Sequence, residues 1–491
     1  MFNRQEDKQP KTVKIAFWYV VSNMFVSALA FISTPIFSRL LTKEEYGQFS
    51  NFIAWMSIVQ IVITFNIGAS ISRAKYDYEK YMDDYLSTLV IFNNITTFII
   101  LALVELFSEF FEKMLLMDVQ YIRILLVYVF FYPAFSYLQL KHRMFQKFKF
   151  FSVFAILTAI IRTAISVFCV FVMSDKLYGR IIGDTLSMSI FCAILWMFVL
   201  YKGRKPKIEY LKYALLISVP MVPHALAGNI LITADRIMIT NFCGSEDNAI
   251  YSLAYSVSSF ASILWTSMNQ AWAPWVYDNM ALENRQGIWE KSKLYIGTFS
   301  ILLIGVLLIS PEIVLIMGSK KYFESRFLMP PVIVACAFQF VYGMYVNIEI
   351  FIKKTFQISV GTVAAAIVNI VLNYFLIPIY GYQAAAYTTL IGYIFLWLFH
   401  FIIVKEIGFS GHHLGIAVDV AAYTLGASTI ERHYTLDRTW KGTDHAASLE
   451  PEGIRKLKRD LMASYAALTY KEKEVLDIEQ VQRDKLKYRE H

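Results

Sequence analysis

The amino-acid sequence predicts an all-α polytopic membrane protein of about twelve transmembrane helices, followed by a short α/β segment. Three observations predict this fold. Of the 491 residues, 57% are hydrophobic and only 17% are charged, a composition unlike that of an ordinary soluble domain. Apolar runs of span length recur up to about residue 404. The residues after them are rich in charge, so we expect two parts of different origin.

The apolar runs define the spans. A helix needs about 20 mostly apolar residues to cross the roughly 30 Å hydrocarbon layer, because lipid cannot satisfy exposed backbone groups. The predicted spans lie at residues 15–37, 49–70, 86–107, 119–140, 151–173, 181–201, 212–239, 249–276, 294–317, 328–350, 358–379 and 382–404. We group them into a first six-helix bundle at 15–201 and a second at 212–404, after a cytoplasmic N-terminus at 1–14.

The distribution of basic residues predicts the orientation of the chain. The N-terminus and the even-numbered loops hold about 21 Lys and Arg, against about 8 in the other loops. Basic loops stay in the cytoplasm, so the loops with Arg73, Lys141 and Lys205 are expected there. An even number of spans places the C-terminus in the cytoplasm too. The net charge of +8 then reflects membrane topology, and we expect no nucleic-acid partner.

A weak internal repeat suggests how the two bundles are arranged. Residues 46–50, Tyr-Gly-Gln-Phe-Ser, and residues 249–252, Ala-Ile-Tyr-Ser, open the second and eighth spans in a similar way. Repeats of this kind are typical of transporters with a cavity between two halves. We therefore expect a cavity between the bundles.

Arg162 is the clearest candidate for a substrate-binding residue. It lies near the middle of the fifth span, where a charged side chain is costly and usually faces a cavity or a partner. A cation at this depth could attract an anionic lipid pyrophosphate. The alternative is an ion pair with a neighbouring helix, for which Asp184 on the sixth span is the candidate.

The seventh span carries Pro220, Pro223 and His224. Two prolines three residues apart remove helix hydrogen bonds and open a kink, so the freed carbonyls and His224 are candidates to line the cavity; the alternative is a purely structural kink. Asp235 and Arg236 follow at the outer end of this span. We interpret them as interface anchors or partners of neighbouring groups.

Amide side chains recur within the spans. They could bind sugar hydroxyl groups, but amides also hold membrane helices together, and we favour the structural role for each single residue. Asn23 on the first span and Asn229 on the seventh are kept as candidate cavity residues. The others are Asn66, Asn93, Asn94, Asn269, Gln270, Asn347, Asn369 and Asn373.

The spans contain no motif for direct enzymatic chemistry. We find no Walker-type phosphate loop, His-Glu-x-x-His pair or nucleophile elbow. The four cysteines lie scattered in or beside apolar segments, so neither a disulfide framework nor a zinc site is expected. A transporter coupled to an ion gradient or to substrate binding fits this pattern, and no cofactor or catalytic residue is expected in the membrane part.

The end of the first span carries a family resemblance. Residues 33–47, STPIFSRLLTKEEYG, resemble the start of Wzx-type polysaccharide flippases, members of the multidrug/oligosaccharidyl-lipid/polysaccharide exporter superfamily. Residues 220–236, 251–255 and 381–386 are similar to the second half of this family.

The resemblance covers residues 10–404. It implies movement of undecaprenyl-pyrophosphate-linked oligosaccharides across the bacterial inner membrane for O-antigen or capsule biosynthesis. It also implies membrane lipid, a polysaccharide polymerase and glycosyltransferases as partners. A multidrug antiporter of the same superfamily is the alternative, but such antiporters usually have an acid in the first span, which here has Asn23.

The tail from residue 407 to 491 reads as strand, helix, strand and a closing helix. It is similar to the last two β/α units of the sialic acid (N-acetylneuraminate) synthase TIM barrel. The resemblance implies metal-binding roles for His412 and His433, a phosphate contact for Ser410 and a sugar contact for Asp444.

A complete (β/α)₈ barrel needs about 250 residues, so the synthase alternative is expected to be inactive in this chain. A divalent metal such as manganese is expected only with a complete barrel, because two imidazoles alone are a poor metal site. A gene fusion within one polysaccharide cluster would explain the change near Glu406. The transported glycan would then contain a sialic acid or a related nonulosonic acid.

Overall fold

Helices form most of the described chain. The computed structural model describes residues 25–468, except residues 26–27, 30, 146–148, 283, 353, 405–406 and 441–443. The chain divides into two units, Met1–Ile403 and Val404–His491. The first unit corresponds to the predicted membrane part and the second to the predicted tail.

The first half of the membrane unit, which we call the first lobe, ends at residue 203. Its helix α1 is described over residues 31–40. The helices that follow are α2 (Lys43–Thr64), α3 (Ile71–Asp77), α4 (Met82–Leu106), α5 (Ser108–Leu115), α6 (Val119–Met144), α7 (Lys149–Val172) and α8 (Lys176–Lys202). Short 3₁₀ turns at Ile67–Ser70 and Glu79–Tyr81 flank α3.

The second lobe covers residues 208–404. Its helices are α9 (Ile208–Ser218), α10 (Val222–Phe242), α11 (Ser245–Ala281), α12 (Arg285–Leu308), α13 (Ser310–Gly318), α14 (Met329–Phe351), α15 (Thr355–Tyr380) and α16 (Gln383–Val404). A 3₁₀ turn at Val219–Met221 separates α9 from α10, and another at Lys320–Leu328 joins α13 to α14. Each lobe has its own apolar core, and Tyr210 and Ala214 of α9 pack into the core of the first lobe.

Among the described residues, ten helical segments are long and apolar enough to cross a membrane. The predicted count of twelve is therefore not confirmed. The first predicted span, at 15–37, lies mostly outside the described residues. The predicted span at 249–276 falls within α11, which has 37 residues and is not among the ten. Its seven serines lower its hydropathy.

Local sequence accounts for two of the helix boundaries. α2 begins with a capping box, in which the Thr42 hydroxyl accepts from the backbone N–H of Glu45 and the Glu45 carboxylate accepts from the N–H of Thr42. The break between α9 and α10 contains Pro220 and is followed at once by Pro223. Proline lacks a backbone N–H, so the expected interruption is present as a 3₁₀ turn.

The amides within the spans mainly connect helices. Asn93 donates to the Tyr137 hydroxyl at 2.7 Å, and the Trp196 indole donates to Asn94 at 2.8 Å. In the second lobe, Asn347 donates to Asn269 at 2.8 Å. These bonds support the structural interpretation of the amides, since each joins two helices.

The second unit has the predicted order of elements. Strand β1 (Ile407–Gly411) pairs in parallel with β2 (Ala427–Arg432), and α17 (Ala417–Thr424) connects them. Helix α18 (Pro451–Leu468) closes the described part. The side chain of Arg432 is 2% exposed and lies 3.5 Å from Asp419. Two parallel strands agree with β/α units, but they do not establish a barrel fragment.

Candidate functional site

The two lobes of the membrane unit meet along α2 and α11. The Asn248 side chain donates to the backbone oxygen of Gly47 at 3.0 Å, and the hydroxyls of Ser50 and Ser252 lie 2.5 Å apart. Gly47 permits this approach, because a Cβ at this position would lie 1.7 Å from the backbone oxygen of Ser245. A side chain of any size would separate the helices.

The connection between α1 and α2 strengthens this contact. The Arg39 guanidinium donates to the backbone oxygen of Ile316 at 2.6 Å, and the Lys321 ammonium donates to that of Leu41 at 2.5 Å. The lobes thus touch at the end of the membrane unit where α1 meets α2.

A cavity of about 320 Å³ lies beside this contact. Its lining comes from both lobes, through α1, α2, α7, α8, α10 and α11. The charged lining residues among those described are Arg162, Arg180, Asp184 and Arg236. Three guanidinium groups face one carboxylate, so the lining carries an excess of two positive charges.

Asp184 is shared by two of the arginines. Its Oδ1 lies 3.4 Å from Arg162 Nε and 3.3 Å from Arg180 Nη1. The Asp184 side chain is 9% exposed and that of Arg162 is 39% exposed. Both interpretations of Arg162 therefore have a structural basis, because the residue lines the cavity and also pairs with the partner considered from the sequence.

Arg180 is held more tightly than Arg162. Its guanidinium donates to the Ser166 hydroxyl at 2.5 Å. It also lies over the rings of Phe37 and Phe49, at 3.6 and 4.2 Å from their centroids, a favourable cation–π geometry. α1, α2, α7 and α8 thus all contribute to its position.

Arg236 brings a positive charge from the second lobe. Its guanidinium lies 5.7 Å from the centroid of the Tyr255 ring. It makes no ion pair with a carboxylate of the described residues, and its buried Nε has no hydrogen-bond partner among them. Of the three arginines, Arg236 has the charge most available to a bound anion.

Asp235, the residue before it, serves a different purpose. It is fully buried and accepts hydrogen bonds from the side chains of Tyr251, Thr389 and Asn373, the last at 2.6 Å. Asn373 is further bonded to Asn369. This network joins α10 to α11, α15 and α16, which agrees with the prediction that Asp235 pairs with neighbours.

The other candidates on the seventh span are not among the residues that line this cavity. Pro220 and Pro223 are exposed. His224 is half-buried, and its Nδ1 has no hydrogen-bond partner among the described residues. Asn229 bonds within its own helix, to the backbone oxygen of Ala225 at 3.4 Å. Asn23 lies outside the described residues.

Sequence reasoning missed Arg180 and interpreted Arg236 as an interface anchor or a partner of neighbouring groups. Arg180 falls one residue before the predicted span 181–201, whereas α8 begins at Lys176. The spacing of Arg180 and Asp184, four residues apart, was the signal that could have found it, because such pairs share one face of a helix. No comparable signal distinguishes Arg236.

The tail brings its four predicted residues together. The rings of His412 and His433 have centroids 4.9 Å apart. Ser410 Oγ lies 3.5 Å from His412 Nε2, and Asp444 Oδ2 lies 3.7 Å from His433 Nδ1. In the described part of the chain, no group of three or more His, Cys, Asp or Glu is arranged to hold a metal ion. The donor set thus does not fit a complete metal site.

Comparisons with known families match the two parts of the chain separately. Residues 12–280 match the family model described as polysaccharide biosynthesis protein. Residues 399–473 match the NeuB family, so the chain carries a NeuB-family segment after the membrane part. A protein from the Lsg locus of Haemophilus influenzae is 25% identical over 362 residues, covering 68% of this chain and 86% of that protein.

The tail matches curated synthases at higher identity. The N-acetylneuraminate-9-phosphate synthase of Homo sapiens is 50% identical over 80 residues, which is 16% of this chain and 22% of that enzyme. The N,N'-diacetyllegionaminic acid synthase of Campylobacter jejuni is 48% identical over 52 residues, 11% of this chain and 16% of that enzyme. The chain thus spans about a fifth of the length of the curated synthases that it matches.

Two solved structures share the fold of the membrane part. The lipid II flippase MurJ in an inward closed conformation has a TM-score of 0.60 at 16% identity, covering 95% of this chain and 99% of that one. An inward-facing multidrug resistance MATE family transporter of the MOP superfamily has a TM-score of 0.57 at 13% identity, covering 77% of this chain and 93% of that one. At these identities the likeness establishes the fold.

Proposed function

The chain belongs to the polysaccharide biosynthesis protein family, and on this basis we propose that it moves lipid-linked oligosaccharides across the bacterial cytoplasmic membrane. The proposed substrate is an undecaprenyl-pyrophosphate-linked repeat unit of an O-antigen or capsule. It is carried from the cytoplasmic to the outer leaflet, where a polysaccharide polymerase uses it. The chain acts as a transporter and catalyses no covalent step.

The positive charge of the cavity is the observation that carries this proposal. Arg162, Arg180 and Arg236 line it against the single carboxylate of Asp184. Excess charge at membrane depth is costly unless an anion compensates it. A pyrophosphate diester is such an anion, and guanidinium groups bind phosphates through charge-assisted hydrogen bonds. In this proposal the pyrophosphate binds among the arginines, while the lipid chain stays in the bilayer.

The contact between the lobes indicates which end of the cavity is closed. Gly47 and Asn248 join α2 to α11 beside the connection between α1 and α2. If the basic loops are cytoplasmic, this connection lies on the outer side. The substrate would then enter from the cytoplasm and leave when the lobes rock apart at the α2–α11 contact.

We propose no catalytic role for the tail. It corresponds to 22% of a curated synthase, and a TIM-barrel site is built from the ends of several strands. His412, His433, Ser410 and Asp444 are then remnants of a site. The tail still bears on the identity of the glycan, because a fusion to a synthase segment favours a glycan that contains a sialic acid or a related nonulosonic acid.

The test is complementation of a bacterial strain that lacks its polysaccharide flippase, with surface glycan and accumulated lipid-linked intermediate as the two readouts. The full chain and residues 1–406 should both restore surface glycan. R236Q should reduce surface glycan and accumulate the intermediate. The matched control is R123Q, because Arg123 makes an exposed bidentate pair with Glu105 at 2.7 Å, away from the cavity.

Two outcomes would contradict the proposal. One is equal glycan delivery by R236Q and the parent chain, which would separate transport from the positive charge of the cavity. The other is failure of the full chain to restore glycan despite good membrane expression, combined with increased drug resistance of the host. That combination would favour the multidrug antiporter.

A further inference from the structure

A buried pair of titratable side chains lies in the second lobe, apart from the cationic cavity. Glu349 on α14 and His400 on α16 are both 0% exposed, and His400 Nδ1 lies 2.7 Å from Glu349 Oε1. Neither residue lines the cavity that holds the arginines. Both lie near the last turn of their helices, since α14 ends at Phe351 and α16 at Val404.

Glu349 and His400 each have one polar side-chain atom that their mutual contact does not use. Glu349 Oε2 and His400 Nε2 are buried and have no hydrogen-bond partner among the described residues. Burying a polar group without a partner is costly, and burying an uncompensated charge costs more. A pair kept only to hold two helices together would gain from being fully bonded or apolar. The leftover atoms instead suit groups that gain and lose a proton.

The described surroundings of the pair contain few other groups that could balance a charge. The Tyr342 ring of α14 stacks on the imidazole with centroids 5.7 Å apart. From α15, Gly361 faces Nε2, because a Cβ there would lie 3.3 Å from it. The nearby ammonium is that of Lys354, which donates to the backbone oxygen of Ile403 at 3.3 Å. Among the described residues, the pair therefore balances its own charge.

One proton makes the pair neutral. With a proton shared between them, the carboxyl and imidazole groups carry no net charge, either as an ion pair or as two neutral groups. When that proton leaves to water, the pair carries one negative charge. The buried arrangement is then disfavoured, and a conformation that admits water at these helix ends is favoured.

We propose that Glu349 and His400 form a proton-binding site that couples protonation to opening of the second lobe at the ends of α14 and α16. The ligand is a proton rather than a metal ion, because zinc or calcium needs about four to eight ligands and the described surroundings add an aromatic ring and a glycine. The transport consequence rests on the proposed function; proton binding does not.

The direction of the pH effect follows from the charge. At low pH the pair holds its proton and the buried state is favoured. Once the proton is lost at higher pH, the open state gains. Linkage of one proton changes the opening equilibrium by up to about tenfold per pH unit.

The test is hydrogen–deuterium exchange of the purified full chain in nanodiscs between about pH 5 and pH 9, a range that includes the ordinary charge change of a free histidine. Rates are corrected for the intrinsic pH dependence of exchange. Peptides at the ends of α14 and α16 should lose protection as the pH rises, by about tenfold or more over the range. E349Q leaves the imidazole as the one group of the pair that can gain a proton, and the variant pair is uncharged at high pH, so the loss of protection at high pH should disappear.

The matched control is H142N, because His142 lies in the first lobe and contacts the backbone oxygen of Leu138 at 2.8 Å. H142N should keep the parent pH profile. If E349Q cannot be purified, H400N replaces it, and the midpoint must move because the carboxyl group then holds the proton alone. A flat profile in the parent chain, or an unchanged profile in E349Q or H400N, would overturn the proposal.

Complementation separates this proposal from the transport proposal. E349Q should deliver less surface glycan than H142N, and equal delivery would overturn the coupling role. If the parent chain restores no glycan but its exchange depends on pH through Glu349, the transport proposal fails and the proton site stands.

Discussion

Replacing Gly47 with alanine should keep the two lobes apart at the α2–α11 contact. A Cβ at this position would lie 1.7 Å from the backbone oxygen of Ser245, whereas ordinary contacts begin at 3.4 Å. The helices would have to separate by the difference, about 1.7 Å, since closer atoms repel. A change of side-chain rotamer cannot relieve the overlap, because the opposing atom belongs to the backbone.

The free-energy cost of closing the α2–α11 contact in the G47A variant can be estimated from the atoms that touch there. Overpacking costs about 1–3 kcal/mol, and the hydrogen bonds from Asn248 to Gly47 and between Ser50 and Ser252 contribute about 1 kcal/mol each. Since about 1.4 kcal/mol is a factor of ten, the equilibrium constant for closing should fall by at least about tenfold. The fold should survive, because alanine favours a helix over glycine by about 1 kcal/mol.

The assay is disulfide formation between S50C and S252C, whose hydroxyl oxygens lie 2.5 Å apart in the parent chain. The native Cys169, Cys192, Cys243 and Cys336 are first replaced by serine or alanine. G47A should slow the cross-link by about tenfold or more. The control is G297A, because a Cβ at Gly297 would meet nothing within 4 Å. A cross-linking rate for G47A equal to that of G297A would refute this account of the contact.

Three further predictions concern single carboxylates. D184N removes the partner of the nearly buried Arg180 and should destabilise the chain by about 3 kcal/mol, seen as a lower melting temperature; an unchanged value would argue against the pairing. D235A leaves three buried donors without an acceptor and should cost about 3 kcal/mol or more, so a parent-like melting temperature would count against that network. In the tail, hydrogen bonds from Thr439 hold the pKa of Asp437 below its usual value, near 3.9. These hydrogen bonds should persist at neutral pH and break as the pH falls through the lowered pKa of Asp437. Amide exchange at Thr439 measures the change, and a protection factor that stays the same as the pH falls would contradict the prediction.

The sequence predicted the helices well, because hydrophobic composition marks the part of each helix that crosses the hydrocarbon layer. It predicted their ends less well. The predicted span 181–201 corresponds to α8 (Lys176–Lys202), which begins five residues earlier, after the N-cap residue Asp175. Arg180 is the last of those five residues, so a cavity residue was overlooked for the same reason that the boundary was misplaced.

The periodicity of the sequence could not identify which residues form contacts between distant parts of the chain. Glu349 and His400 are 51 residues apart, and Asp235 and Asn373 are 138 residues apart. Each of these four residues lies within a predicted span, and a charged side chain at membrane depth indicates a buried contact. Which residue completes each contact depends on how the helices pack, and the amphipathic patterns of the spans do not determine that packing.

The most direct test of the central claim is binding of undecaprenyl pyrophosphate to the purified full chain, followed by native mass spectrometry. The parent chain and R123Q should bind this lipid in preference to uncharged undecaprenol. R236Q should weaken binding by about tenfold or more, since a charge-assisted hydrogen bond contributes about 1.5–3 kcal/mol. Equal binding of the two lipids, or of the pyrophosphate lipid by R236Q and R123Q, would contradict a cationic cavity for lipid pyrophosphate.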